Sequence, residues 1–267
     1  MIVGARVGDT LPLEVGGFLL QVWNKILDLI LPPVCPACKT HHQEAHRFCG
    51  PCWQTFSFIG EPACSCCGFP FEYSVAEQSL CAGCLAVKPH FNWVQSAVRY
   101  DGVARDAILR LKHGQHTHVA PAMAALMLPG LLRRQVETTR LIVVPVPLHT
   151  VRLRQRRYNQ SHLLAKPIAR RLDVPCKPAV LVRHRNTESQ GSFGRKQRFR
   201  NVAGAFTVPS ERQTDISGHS ILLVDDVYTT GATLSACAKA LVKAGAVEVG
   251  AVTFARAIGV RQSGTGT

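Results

Sequence analysis

Beyond residue 90 the chain alternates short apolar runs with segments whose apolar residues recur every three or four positions. The apolar runs predict strands at 97–100, 141–146, 179–182, 221–224 and 247–254. The periodic segments predict helices at 103–112, 121–134, 161–172 and 233–243. This alternation is typical of an α/β fold, with a mostly parallel sheet and helices on both of its faces. We assign residues 91–260 to this domain and expect the small polar tail 261–267 to be disordered.

The segment before this domain has a different pattern. In residues 1–31, five apolar side chains recur at helical spacing: Phe18, Val22, Ile26, Leu29 and Ile30. They predict an amphipathic helix, whose apolar stripe we assign to core packing rather than to a membrane surface. Polar residues interrupt the run, so we expect no transmembrane segment. The first residues also lack a basic region leading into an unbroken apolar run, and we therefore expect a cytoplasmic protein.

Composition and charge narrow the function classes. Hydrophobic residues make up 46% and charged residues 18% of the 267 residues, a composition typical of a globular protein and not of a disordered one. The formal net charge of +14 is concentrated: residues 140–200 contain fifteen Lys and Arg but only two acidic residues. Such a stretch indicates a polyanionic partner, either nucleic acid, an anionic surface or a pyrophosphorylated small molecule. A merely solvated basic face is the alternative.

Nine of the eleven cysteines lie within residues 35–84. In a reducing compartment, C-x₂-C pairs favour metal binding over disulfides, and four thiolates suit a structural Zn²⁺ ion. The first predicted zinc set is Cys35, Cys38, Cys49 and Cys52. The second contains Cys81 and Cys84 together with two of Cys64, Cys66 and Cys67, a choice that spacing leaves open. We assign residues 32–90 to a small double zinc-ribbon module and expect its core to be separate from that of the α/β domain. Its aromatic side chains favour a small core over base stacking.

The predicted strand 221–224 ends in two carboxylates, Asp225 and Asp226, and a Thr/Gly-rich turn at 229–233 follows. Backbone N–H groups of a turn and of a helix N-terminus converge on anions, and Gly231 lets the backbone approach a phosphate closely. Carboxylates beside a phosphate repel it unless they bind something else, such as ribose hydroxyls or Mg²⁺. The pattern therefore predicts a site for a phosphorylated sugar at the carboxyl end of a strand.

The sequence also contains two basic segments. The first follows a buried strand, and the second lies in a long connection. Arginine guanidinium groups suit oxyanions because they donate two hydrogen bonds at once, and a mobile basic loop can close over a pyrophosphate. The candidate residues in the first segment are Arg154, Arg157, Asn159 and Gln160. Those in the second are Gln190, Arg195, Arg198 and Asn201. An exposed basic surface is the alternative for any single arginine.

Residues 221–233 resemble the signature with which type I phosphoribosyltransferases bind 5-phosphoribosyl-1-pyrophosphate (PRPP). The chain as a whole resembles the ComF family, bacterial proteins linked to natural competence, with relatives in the GntX group. The motifs that carry the resemblance are the paired cysteines, LRLKHG at 109–114, PVPL and RRYNQS within 145–161, the pattern from Thr187 to Asn201, and VDDVYTTGAT. The resemblance favours Cys64 and Cys67 over Cys66 as zinc ligands.

The resemblance implies a role for each site residue. The acid pair Asp225 and Asp226 is the catalytic pair and holds the ribose hydroxyls. The residues expected to hold the 5′-phosphate are Thr229, Thr230, Gly231, Ala232 and Thr233. Two functions from different classes follow. One is transfer of phosphoribose from PRPP, with Mg²⁺ as cofactor, to an unidentified acceptor. The other is an accessory role in DNA uptake, with single-stranded DNA and proteins of the uptake machinery as partners and PRPP as a regulatory ligand.

Overall fold

The computed structural model describes residues 33–41, 44–113, 116–187 and 194–258, with only the backbone of Arg195. The predicted N-terminal amphipathic helix, Gln190 and the predicted tail 261–267 lie outside these ranges. Within the described ranges, no helix has the length and apolar character needed to cross a membrane.

The described part of the chain is built from six strands and eight α-helices. The strands are β1 (Trp93–Arg99), β2 (Leu141–Pro145), β3 (Val182–Arg183), β4 (Phe206–Thr207), β5 (Ser220–Tyr228) and β6 (Glu248–Arg256). The helices are α1 (Gly50–Gln54), α2 (Ala82–Ala86), α3 (Gly102–His113), α4 (Val119–Arg133), α5 (Thr150–Arg156), α6 (Gln160–Leu172), α7 (Arg195–Val202) and α8 (Ala232–Lys243). A 3₁₀ helix (Ser210–Asp215) precedes β5.

Four strands form a parallel sheet in the order β1-β6-β5-β2. Successive residues of β5 point to opposite faces: Leu222 and Val224 join one apolar cluster with α4 and α6, whereas Ile221 and Leu223 join a second cluster with α8. Helices therefore cover both faces of the sheet. The predicted α/β fold class is confirmed.

Three predicted elements differ in the structure. Strand β1 begins at Trp93, four residues before the predicted strand 97–100. The strand predicted at 179–182 is instead the short β3, which pairs antiparallel with β4 outside the main sheet. An apolar run alone does not specify which strand it pairs with. In the structure, Cys176 instead lies along the edge of β2 and forms an isolated parallel bridge with Val143. Strand β5 continues four residues beyond its apolar run, because Asp225 and Tyr228 pair with β6.

The cysteine-rich segment packs directly against the edge strand β1. The amide of Ile59 donates to the carbonyl of Ala97 at 3.0 Å, and the amide of Val94 donates to the carbonyl of Cys66 at 2.8 Å. The two apolar clusters of the sheet also contain buried cysteines of this segment, among them Cys35 and Cys64. The expectation of a separate core for residues 32–90 is therefore wrong. A short, metal-dependent segment has too little apolar area for a core of its own, so it completes that of the larger domain.

Candidate functional site

The acid pair lies buried at the carboxyl end of β5. Asp225 is 9% exposed and Asp226 is 4% exposed. Oδ1 of Asp225 accepts hydrogen bonds from Ser161 Oγ at 2.8 Å and from the backbone amide of Asp226 at 2.9 Å. Oδ2 of Asp226 forms an ion pair with Lys112 Nζ at 2.8 Å. Each carboxylate thus has one oxygen held by a neighbour that comes from a different helix.

Burial dominates the electrostatics of this pair. Burial and, after it, the adjacent charge of Asp226 raise the pKa of Asp225, while the Ser161 hydroxyl and Lys112 oppose the rise, and the resulting pKa is about 7. Burial alone lowers the pKa of Lys112, but the charge of Asp226 and its hydrogen bond outweigh that effect, so the pKa lies above its ordinary value. Lys112 therefore acts as a permanent counter-charge to the acid pair.

The turn after β5 has the backbone geometry of an anion-binding loop. Gly231 adopts a φ of 79° and immediately precedes α8. A Cβ at this position would collide with the ring of Tyr228, so both its conformation and its surroundings require glycine. The first amides of a helix have no intrahelical acceptor and carry the positive end of its dipole. The amides of α8 that follow Gly231 consequently present a phosphate-sized anion with donors and a favourable field.

The predicted threonines lie in this loop beside its buried backbone. Thr229 is exposed, Thr230 and Thr233 are half-buried, and Gly231 and Ala232 are buried. The loop thus combines accessible hydroxyls with a closely packed backbone.

The first basic segment forms α5 and its C-terminal turn. Arg154 and Arg157 are exposed, whereas Arg152 and Arg156 are half-buried. Arg152 donates to the carbonyl oxygen of Thr187 at 2.7 Å, and Arg156 donates to Oε1 of Gln160 at 3.0 Å. Our sequence prediction included all four arginines in this basic segment but selected Arg154 and Arg157 as site residues, and not the inward-facing Arg152 and Arg156. Their spacing of four residues places them on one face of a helix and was the available signal.

Asn159 and Gln160 hold this segment in place. Oδ1 of Asn159 accepts from the amide of Ser161 at 3.0 Å and so caps α6, and its Nδ2 donates to the carbonyl of Val146 at 3.0 Å. Asn159 thereby fixes the start of α6 against the end of β2 and sets the position of Ser161, which bonds to Asp225.

Arg183 is a second residue that sequence reasoning missed. It is buried, its Nη2 donates to the hydroxyl of Thr187, and its guanidinium lies 5.4 Å from the centroid of the Phe206 ring. Burial and the charge of Arg152 lower its pKa, while Asp225 opposes this effect. Arg183, Arg152 and Thr187 therefore form a polar cluster within electrostatic reach of the acid pair.

The remaining predicted residues of the second basic segment belong to α7. Arg198 and Asn201 are half-buried on this helix, which packs against α8 and thus beside the phosphate loop. The side chain of Arg185 holds the end of α7 by donating to the carbonyls of Asn201 and Ala203, both at 2.8 Å. Of the other two candidates, Gln190 lies outside the described ranges, and the side chain of Arg195 is not described.

Two groups of four thiols are assembled among the described residues. They are Cys35, Cys38, Cys49 and Cys52, and Cys64, Cys67, Cys81 and Cys84. In each group the sulfur atoms all lie within 4.8 Å of one another. Tetrahedral Zn²⁺ with bonds of about 2.3 Å requires sulfur separations of about 3.8 Å, so both groups fit the ion.

The backbone around these thiols supports the same assignment. The amide of Cys81 donates to Cys64 Sγ at 3.3 Å, and the amide of Cys49 donates to Cys35 Sγ at 3.4 Å. Amide hydrogen bonds stabilise thiolates, which are the form that binds metal. The second group contains Cys64 and Cys67 and does not contain Cys66.

Together, the parallel sheet, the acid pair before an anion-binding loop, and two four-thiol groups define a phosphoribosyltransferase-domain protein with an attached double zinc ribbon. The family model for the phosphoribosyl transferase domain matches residues 158–262. The family model for the double zinc ribbon domain matches residues 26–85.

Proteins similar in sequence to this chain include competence and DNA utilization proteins. The chain is 28% identical over 229 residues to competence protein F of Haemophilus influenzae, covering 84% of this chain and 96% of that protein. It is 28% identical over 225 residues to the DNA utilization protein YhgH of Escherichia coli K12, covering 83% and 96%. It is 34% identical over 116 residues to competence protein ComFC of Bacillus subtilis, covering 43% and 44%. The first two of these similarities extend over most of the chain.

Proposed function

We propose that this protein binds PRPP at the end of β5 and transfers its phosphoribosyl group, with release of pyrophosphate. The observation that carries this proposal is the continuity of Asp225 and Asp226 with the glycine turn that opens α8. The acids accept hydrogen bonds from the ribose 2′- and 3′-hydroxyls, through the oxygens that Ser161 and Lys112 do not hold. Loop residues 229–233 bind the 5′-phosphate through backbone amides and threonine hydroxyls.

The pyrophosphate of PRPP is bound by the basic residues that surround the acid pair. Lys112, Arg152, Arg156 and Arg183 face this region from three parts of the chain. The exposed Arg154 and Arg157 and the half-buried Arg198 and Asn201 of α7 add further polar groups to this basic surface. We also assign Gln190 to pyrophosphate binding, on its place in the sequence pattern alone. Guanidinium groups stabilise the charge that develops on departing pyrophosphate while the ribose gains oxocarbenium character.

Asp225 and Asp226 would hold a Mg²⁺ ion only in part, with pyrophosphate and water supplying its other ligands. Its oxygen ligands are normally waters, phosphates and one or two carboxylates, and the two carboxylates here already have Ser161 and Lys112 as neighbours. These residues suit an ion that is held mainly by pyrophosphate and water. When bound, Mg²⁺ neutralises charge on the leaving group. The acceptor of the phosphoribosyl group stays unassigned.

The acid pair provides the direct test. Replacing it in the variant Asp225→Asn, Asp226→Asn removes two charged hydrogen-bond acceptors, each contributing about 1.5–3 kcal/mol. We expect PRPP affinity, measured by calorimetry with Mg²⁺, to fall by about 100-fold or more. Asp215→Asn is the matched control, because Asp215 is also ion-paired, with Lys177 Nζ at 2.8 Å, but lies in the 3₁₀ helix before β5. Unchanged affinity in the double variant would show that the acids do not bind PRPP.

A second candidate function is binding of single-stranded DNA in DNA uptake, together with proteins of the uptake machinery. Two relatives bear names that refer to DNA utilization or competence. On the first ribbon, Trp53 and Phe58 are 50% and 44% exposed, and their ring centroids are 4.9 Å apart. Exposed aromatic rings suit stacking with unpaired bases.

A further inference from the structure

Arg256 connects the second thiol group to the sheet. It is the last residue of β6 and is 5% exposed. Its Nη1 donates to the carbonyl oxygen of Cys67, and its Nη2 donates to Cys67 Sγ at 3.4 Å. The guanidinium also lies 5.4 Å from the centroid of the Phe69 ring. A buried guanidinium is stable only while such partners remain in place, so the position of Arg256 depends on the order of the second ribbon.

The other face of Arg256 meets the phosphate loop through Tyr228. The Arg256 guanidinium lies 4.2 Å from the centroid of the Tyr228 ring. Tyr228 pairs with Arg256 in the β5–β6 register, and its ring fills the space where a side chain of Gly231 would be. A continuous line of contacts therefore runs from Cys67 through Arg256 and Tyr228 to Gly231.

A second contact joins the same two regions. The amide of His90, in the segment after α2, donates to Ser235 Oγ at 3.1 Å. Ser235 lies in the first turn of α8, and its own amide donates to the carbonyl of Gly231 at 2.9 Å. The second ribbon thus supports both the loop and the helix that begins there.

The first ribbon is attached elsewhere. Arg110 of α3 donates through Nη1 to the carbonyls of Pro36 and Ala37, both at 2.7 Å. This contact resembles that of Arg256, since an arginine of the α/β domain holds the backbone of a cysteine knuckle. It leads to α3 instead of to the phosphate loop, so it offers a matched control.

We propose that Arg256 is a positioning residue for the PRPP phosphate loop, through which the metal-bound second ribbon, but not the first, maintains affinity for the 5′-phosphate. This inference rests on the PRPP binding proposed above. One consequence is a change in ligand selectivity. Loss of Arg256 lowers the affinity for ligands that carry a ribose 5-phosphate, and it leaves the affinity for pyrophosphate unchanged, because pyrophosphate binds to the basic segments.

The test compares Arg256→Met with Arg110→Met in calorimetric titrations with PRPP, ribose 5-phosphate and Mg²⁺-pyrophosphate. We expect Arg256→Met to weaken PRPP and ribose 5-phosphate by about 10-fold or more, with Mg²⁺-pyrophosphate within about two-fold of wild type. Arg110→Met keeps the affinity for ribose 5-phosphate within about two-fold. Arg256→Lys keeps the charge but not the paired hydrogen bonds, and it gives the same test with a smaller loss if the methionine variant does not fold.

Substitutions of cysteines in the two thiol groups form the second part of the test. Cys81→Ser in the second group weakens ribose 5-phosphate as Arg256→Met does, whereas Cys38→Ser in the first group does not. The double variant Cys81→Ser, Arg256→Met loses no more than either single variant, because the two changes break one line of contacts. Wild-type affinity for ribose 5-phosphate in Arg256→Met, or equal losses in the two cysteine variants, would overturn the proposal.

A failure of the proposed function would give a different experimental result. If the wild-type protein binds neither PRPP nor ribose 5-phosphate, PRPP binding is wrong, and amide hydrogen exchange at residues 229–233 then tests the positioning role alone. Faster exchange in Arg256→Met than in Arg110→Met supports that role. Equal exchange in the two variants overturns it.

Discussion

At the scale of single residues, the acid pair has opposing requirements. Asp225 lies in a buried strand, where a charge is costly, yet binding of ribose hydroxyls requires an ionised carboxylate. Ser161 and Lys112 lower that cost without removing it, and the pKa of Asp225 remains raised to about 7. Function and stability are therefore opposed at this residue.

Asp225→Asn should reveal this opposition through pH. The pKa of this carboxyl is 3.8, its ordinary value, in the unfolded chain and about 7 in the folded protein. Between these values a rise in pH favours unfolding of the wild type, and above about pH 7 the effect is constant. Relative to wild type, the variant should therefore gain about 2–3 kcal/mol in free energy of unfolding between about pH 5 and about pH 8. Urea denaturation of both proteins measures this, and a pH-independent difference would contradict a raised pKa.

Gly231→Ala tests the phosphate loop. Gly231 and Gly218 have similar φ values, 79° and 73°, but a Cβ at Gly218 meets open space whereas one at Gly231 meets Tyr228. Gly218→Ala should cost about 1 kcal/mol of stability and leave PRPP affinity unchanged. Gly231→Ala should lower the free energy of unfolding by at least about 1 kcal/mol more than Gly218→Ala does, and it should reduce the affinity for PRPP about 10-fold or more. Thermal denaturation and PRPP titration distinguish the two, and equal effects would argue against a close approach of ligand to Gly231.

At the scale of elements, the cysteine knuckles act as part of the sheet. They cover the free edge of β1 and contribute buried side chains to the apolar clusters on both faces. Covering an exposed edge also removes a site for unwanted strand pairing. The metal groups therefore stabilise more than the segment that contains them.

Loss of zinc should consequently destabilise the whole described fold. Cys35→Ser removes a buried ligand of the first group, and we expect the free energy of unfolding to fall by about 3 kcal/mol or more. Far-UV circular dichroism and tryptophan fluorescence should report one transition at a lower temperature. Cys176→Ser is the control, because Cys176 is half-buried and belongs to neither group. An α/β transition that stays at the wild-type temperature in Cys35→Ser would show that the ribbon and the sheet unfold independently.

At the scale of the whole molecule, positive charge is concentrated in one part of the chain, which includes Arg156 and Arg183 near the acid pair. Residues 140–200 carry fifteen of the 31 Lys and Arg. The inward-facing arginines suit pyrophosphate, and the exposed ones extend the same positive surface outward. One surface can therefore attract both PRPP and a nucleic-acid backbone.

Competition between the two ligands tests this shared surface. Fluorescence anisotropy of a labelled single-stranded oligonucleotide should fall when PRPP and Mg²⁺ are added, because both occupy the same arginines. The logarithm of oligonucleotide affinity should fall linearly with the logarithm of salt, with a slope of about −0.7 for each phosphate contact. Magnesium sulfate at equal ionic strength is the control. Unchanged anisotropy at saturating PRPP would place DNA elsewhere, on the exposed aromatics of the first ribbon.

Local pattern was sufficient for the fold class and for the two candidate centres. The apolar run before Asp225, the acid pair and the glycine turn are consecutive in sequence, so their proximity follows from chain connectivity. The cysteine knuckles are also local, because C-x₂-C spacing brings two sulfurs together within one turn. Such local patterns do not depend on how the elements pack.

Only the tertiary structure decided which distant side chains complete these centres. Lys112 and Ser161 reach the acid pair from α3 and α6, and Arg256 reaches Cys67 from the end of β6. The same packing merged the ribbon with the core of the sheet, contrary to our expectation. Contacts of this type depend on the order of the strands, their register and the rotation of each helix. These features are set by the packing energy of the whole chain, and no local pattern of residues encodes them.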